Sequence, residues 1–81
     1  MINVLFFAQV RELTATDSLT LPPQYATVDE LRQALCLRGT HWALALASGK
    51  LLAAVNQSLV DMQHPLRDGD EVAFFPPVTG G

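Results

Sequence analysis

The strongest constraint on what this chain can become is the apolar run at residues 2–10, Ile2-Asn3-Val4-Leu5-Phe6-Phe7-Ala8-Gln9-Val10. Its β-branched and aromatic members read as a strand buried on both faces or nearly so. Alternation puts Ile2, Val4, Phe6 and Ala8 on one side, and Leu5 with Phe7 on the other. At 81 residues the chain is sized for one domain, so any function must be built on a single small core.

Further elements follow from local chemistry. Ser18-Leu19-Thr20-Leu21 alternates as a strand, and Pro22-Pro23 withholds the donors needed to continue it. With the first run it predicts an opening hairpin across a polar turn. Thr27-Val28-Asp29-Glu30 has the capping-box pattern. Val28, Leu31, Ala34 and Leu35 then form an apolar helical stripe, and Gly39 is placed to close the helix in a left-handed conformation. Residues 41–46 are apolar but too short for periodicity to separate a helical turn from a strand. Residues 51–55 and Ser58-Leu59-Val60 are strand candidates separated by Asn56-Gln57. Asp68-Gly69-Asp70 signals a turn into a last strand, Glu71-Val72-Ala73-Phe74-Phe75. The order is strand, strand, helix, strand, short strand, strand: an α+β roll with a mixed sheet and one main covering helix.

Composition narrows the function. Apolar residues make up 49% and charged residues 16% of the chain, which suits a filled interior rather than a disordered segment. The net charge is −3 and the five basic residues are scattered; nucleic acid, which needs a concentrated positive footprint, is not an expected partner. Cys36 is the only cysteine, so neither an internal disulfide nor a cysteine metal cluster can form. No apolar run reaches the roughly 18 to 20 residues that span a bilayer and no signal-peptide pattern opens the chain. No membrane association and a cytoplasmic location are expected.

The end of the chain carries the chemistry. Pro76-Pro77 closes the last strand by removing two amide donors and favours extended backbone. Gly80 and Gly81 then present the slimmest cross-section a peptide can have. The expected division is a globular domain over 1–75 and a flexible tail over 76–81, whose reach is roughly 20 Å at about 3.3 Å per residue. A terminal carboxylate, with a reference pKa of about 3.3 to 3.7, is ionised and resists attack until activated. The chain has no Gly-rich loop followed by Lys and Ser or Thr to hold a nucleotide, so a nucleotide-driven activation of that carboxylate falls to a partner.

The segment Asp68-Gly69-Asp70-Glu71-Val72-Ala73-Phe74-Phe75-Pro76-Pro77-Val78-Thr79-Gly80-Gly81 resembles that of the MoaD-like sulfur carriers, the small subunits of molybdopterin synthase. Val4-Leu5-Phe6-Phe7-Ala8-Gln9-Val10-Arg11-Glu12-Leu13 and Leu51-Leu52-Ala53-Ala54-Val55-Asn56-Gln57 are similar to them too, so the likeness spans nearly the whole chain; residues 14–41 diverge most. The resemblance implies a ubiquitin-like β-grasp fold with the last strand parallel and adjacent to the first. It also implies that the Gly81 carboxylate is adenylated by a ubiquitin-activating-like adenylyltransferase and converted to a thiocarboxylate with a sulfurtransferase as sulfur donor. The tail would then enter the large synthase subunit, within a heterotetramer, and pass sulfur to cyclic pyranopterin monophosphate. No cofactor is expected on this chain itself, and no active site of its own.

In that fold Phe7 and Phe75 lie near the exit of the tail, and Leu59 can join them. With Pro76, Pro77, Val78 and Thr79 they form the expected partner-binding set. The plain alternative for Phe7, Phe75 and Leu59 is membership of the core; a patch is favoured because one long helix covers only one face of a sheet. His41 and His64 lack a second ligand at metal spacing and are assigned no role. Cys36 reads as a half-buried thiol with nothing basic beside it in sequence to make it reactive, and Asp68 and Asp70 read as turn residues. Two other functions use the same activated end: sulfur delivery for thiamine or another product, and a protein modifier forming isopeptide bonds through Gly81. Lys50 is the sole lysine, which disfavours a modifier that builds chains on itself.

Overall fold

The structure, a computed structural model, describes residues 1–47 and 49–77. A five-stranded sheet holds β1 (Ile2–Phe6), β2 (Ser18–Leu21), β3 (Leu52–Val55), β4 (Ser58–Val60) and β5 (Glu71–Phe75), in the spatial order β2-β1-β5-β3-β4. β1 and β5 are parallel, with Val4 opposite Val72 and Phe6 opposite Phe74; every other pairing is antiparallel. The sheet is mixed, as a β-grasp requires, and its two central strands come from opposite ends of the chain.

Among the described residues, three helices cover one face: α1 (Ala8–Thr14), α2 (Val28–Cys36) and α3 (Thr40–Leu46). α2 is the longest, and its Val28, Leu31 and Leu35 are buried. They meet Ile2, Val4 and Phe6 of β1, Ala53 and Val55 of β3, and Val72 and Phe74 of β5 in one core. Each fully buried Leu or Phe here is worth about 1.5–3 kcal/mol over leaving it in water. Phe6 stacks on Phe74 at 6.4 Å and meets the edge of Trp42 of α3 at 5.4 Å.

The start of α2 follows the sequence. The Glu30 amide donates to the Thr27 hydroxyl at 3.2 Å, and the Val28 and Asp29 amides donate to the carbonyls of His64 and Met62. Three of the helix's first free donors are thus satisfied. On its surface the Arg32 guanidinium donates to Asp29 at 2.7 Å. That bond, with a second from Gln33, holds the Asp29 carboxyl below its usual value of 3.8.

Two expectations fail. The first strand does not run to Val10: it stops at Phe6, and the chain turns at Ala8, whose φ is 52°. The Phe7 carbonyl then accepts from the Val10 and Arg11 amides, so α1 occupies the place given to strand and polar turn. Ala8 is exposed rather than facing with Phe6. The physical reason is spacing, since Val10, Leu13 and Thr14 share a helical face while Gln9, Arg11 and Glu12 take the wet side. Gly39 is not a left-handed cap. It is extended at φ 162° and precedes α3, while α2 closes through the Leu37 and Arg38 amides on the carbonyls of Ala34 and Leu35. Residues 41–46, open between helical turn and strand in the sequence, lie in α3, and α2 remains the main covering helix.

The turns hold. Asn56 and Gln57 have φ of 51° and 70°, the left-handed pair that a two-residue hairpin loop needs between Val55 and Ser58. Gly69 has φ 92°, where a side chain would be strained. The Asp70 carboxylate accepts from the Arg67 amide and the Asn56 side chain, and Asp68 accepts from the Met1 ammonium. That ammonium lowers the Asp68 pKa. Both acids are structural.

Candidate functional site: an uncovered sheet face and a proline exit

β5 sends alternate side chains to opposite sides. Val72 and Phe74 enter the core, whereas Glu71, Ala73 and Phe75 point away from the helices. Register turns this alternation into a surface. Ala73 lies between Leu5 of β1 and Ala54 of β3, Ala54 is opposite Leu59 of β4, and Phe75 is opposite Leu52. Phe7 follows directly on Phe6 with extended backbone, φ −126° and ψ 155°, so alternation puts its ring on the side of Leu5.

An apolar strip therefore crosses four strands on the face without helices. Phe7 is 46% and Leu59 68% exposed, values that exclude core packing for both. Phe75 is half-buried among the strip's own members. The structure thus places Phe7, Phe75 and Leu59 on one face, and adds Leu5 and Leu52, which sequence reasoning missed. The signal for Leu5 was present in the alternation; Leu52 needed the β3–β5 register.

At the end of β5, Pro76 is half-buried and Pro77 exposed. They form one side of a cleft of about 290 Å³, whose other sides include Val10 and Leu13 of α1, Leu44 of α3 and Leu51. None of these wall residues was foreseen, because the cleft depends on α1. Val78, Thr79, Gly80 and Gly81 lie outside the described residues.

Elsewhere the molecule is plain. Cys36 is a free, half-buried thiol, His41 is exposed and His64 half-buried. Among the described residues no group of three or more His, Cys, Asp or Glu could hold a metal ion. No helix among them is long and apolar enough to cross a membrane.

The family model described as the ThiS family matches residues 4–81. This chain belongs to that family. Its relatives include a protein of Escherichia coli named molybdopterin synthase sulfur carrier subunit, 64% identical over 81 residues and covering all of both chains. A protein of the same name from Haemophilus influenzae is 53% identical, again over the whole of each. Among solved structures, a complex of subunits 1 and 2 of the molybdopterin-converting factor from Helicobacter pylori contains a chain of similar fold. The match has a TM-score of 0.70 and 28% identity, covering 99% of this chain and 97% of that one. ThiS-family membership and the β1–β5 parallel pair together establish the ubiquitin-like β-grasp.

Proposed function

We propose that this chain is the sulfur carrier of molybdenum cofactor biosynthesis, working through the carboxylate of Gly81. The observation that carries the reading is identity along the whole chain to sulfur carrier subunits of molybdopterin synthase. The apolar strip beside the exit of β5 supports it, because a carrier needs a handle that a partner can grip while the end group works elsewhere.

The chemistry follows from the end group. An adenylyltransferase partner uses ATP to convert the Gly81 carboxylate to an acyl adenylate, with pyrophosphate leaving. A sulfur nucleophile supplied by a sulfurtransferase then displaces AMP, leaving a thiocarboxylate, a soft anion at neutral pH. Gly80 keeps the approach narrow. In the large synthase subunit the sulfur passes to cyclic pyranopterin monophosphate, and two such transfers build the dithiolene of molybdopterin. Phe7, Leu59 and Phe75 form the gripping surface, with Pro76, Pro77, Val78 and Thr79 leading into the partner's cleft. Two carriers and two large subunits make up the assembly. Division into a domain over 1–75 and a tail over 76–81 belongs to the same reading.

Intact-mass analysis of the protein from its native host tests the class. Exchange of one oxygen for sulfur at the terminus is expected; covalent conjugates to other proteins would instead mark a modifier. Deleting Gly81 is expected to abolish sulfur transfer without lowering thermal stability. A truncated chain that still sustained molybdoenzyme activity would overturn the mechanism.

A further inference from the structure

Past Phe75 the sheet can no longer hold the chain. On one side, β3 ends its pairing at Leu52 with Phe75. On the other, β1 ends at Phe6 with Phe74; the Phe7 amide makes a last bond to the Phe74 carbonyl at 3.2 Å, and the chain then turns at Ala8 into α1. Pro76 and Pro77 have no N–H to donate in either direction. Among the described residues no backbone hydrogen bond is made by Pro76 or Pro77 outside the strand pairing, so little main-chain bonding is left to set the direction in which the chain departs.

Yet Pro76 is half-buried, so other parts of the domain cover some of its surface. The cleft supplies them: Leu13 of α1 and Leu44 of α3 stand among its walls with Pro76 and Pro77. α1 packs on both α3 and β5, which fixes this wall relative to the strand that delivers the prolines. Leu44 is 64% exposed, so its value does not lie in filling the core.

We propose that Leu13 and Leu44 are positioning residues, forming a seat that fixes the direction in which Pro76-Pro77 leaves the domain and so aims the reactive end before a partner is met. The inference rests on the sulfur-carrier reading for its purpose, though not for its geometry. Its physical basis is preorganisation: an exit restrained in the free carrier loses less backbone freedom when it is inserted.

The test compares the full chain with Leu44→Ala and Leu44→Met in three measurements: thermal unfolding, heteronuclear NOE of the Val78 and Thr79 amides in the free protein, and sulfur transfer from the thiocarboxylate form to the large subunit's substrate. For Leu44→Ala, Tm should move by no more than about 2 °C, as for a surface truncation. The two NOE values should fall, and KM for the carrier should rise about five-fold, the effect of freeing roughly one backbone residue, with kcat unchanged. Leu44→Met should restore both NOE and KM. A raised KM with unaltered NOE values would make Leu44 a partner contact and overturn the seat; so would no change in either. If the unaltered thiocarboxylate passes no sulfur, the carrier reading fails, and the NOE comparison alone still decides the seat.

Discussion

Phe74 and Phe75 are the same residue, adjacent in one strand, and they serve opposite sides of the sheet. Phe74 is fully buried under the helices and stacked on Phe6, while Phe75 lies on the uncovered face opposite Leu52. The covered face is a place where any lost volume leaves a cavity. The uncovered face can lose a ring to solvent at little cost, because that ring was already partly wet. A sheet with helices on one side only thus puts core packing and, in the function proposed here, partner recognition one residue apart.

The sharpest way to break this contrast is to truncate each ring in turn. Phe74→Ala should cost about 3–5 kcal/mol in denaturant unfolding, since the side chain leaves a cavity that the close-packed core cannot collapse. Against a total stability of about 5–15 kcal/mol, that variant should be partly unfolded at 37 °C. An unfolding cost for Phe75→Ala as large as that for Phe74→Ala would erase the distinction. Next in size, Phe7→Ala, Leu59→Ala and Phe75→Ala should each weaken binding to the large subunit by about ten-fold or more, as expected for central apolar anchors. Their stability should stay within about 1 kcal/mol of the parent; titration calorimetry and thermal unfolding on the same samples separate the two effects.

The smallest effect should come from a region on neither face. Asp29 is half-buried on α2, and its bond from Arg32 lowers its folded pKa below 3.8. A lowered carboxylate pKa stabilises the fold above the unfolded value and loses that contribution as pH falls through the folded one. Asp29→Asn should therefore lower Tm slightly at neutral pH, with the full difference present above about pH 5 and vanishing in strong acid. Binding should not change. A pH-independent difference would assign the effect to helix capping rather than to the ion pair.

Much of this contrast was legible in the residues. The Thr27 hydroxyl cap, the stripe of Val28, Leu31 and Leu35, the Asp68-Gly69-Asp70 turn and the last strand over 71–75 are short-range signals, and each appears in the fold. The end of β1 was not legible, because a nine-residue apolar run satisfies both a strand and a strand followed by a helix. What decides between them is tertiary: the Asp17 carbonyl takes the Phe6 amide, the Phe74 carbonyl takes the Phe7 amide, and Val10 finds a place in the core. The cleft beside Pro76 could not be foreseen for the same reason, since one wall is that missed helix. Gly39 misled because glycine marks both the end of one helix and the approach to the next.

The parallel pairing of β1 with β5 has a consequence for biosynthesis. The heart of the sheet joins strands far apart in sequence, so Ile2, Val4 and Phe6 cannot complete the core until Val72 and Phe74 have been made. Such distant partners favour slow, all-or-none assembly. A chain lacking β5 would therefore lose the strand that joins β1 to β3, and with it the centre of the sheet.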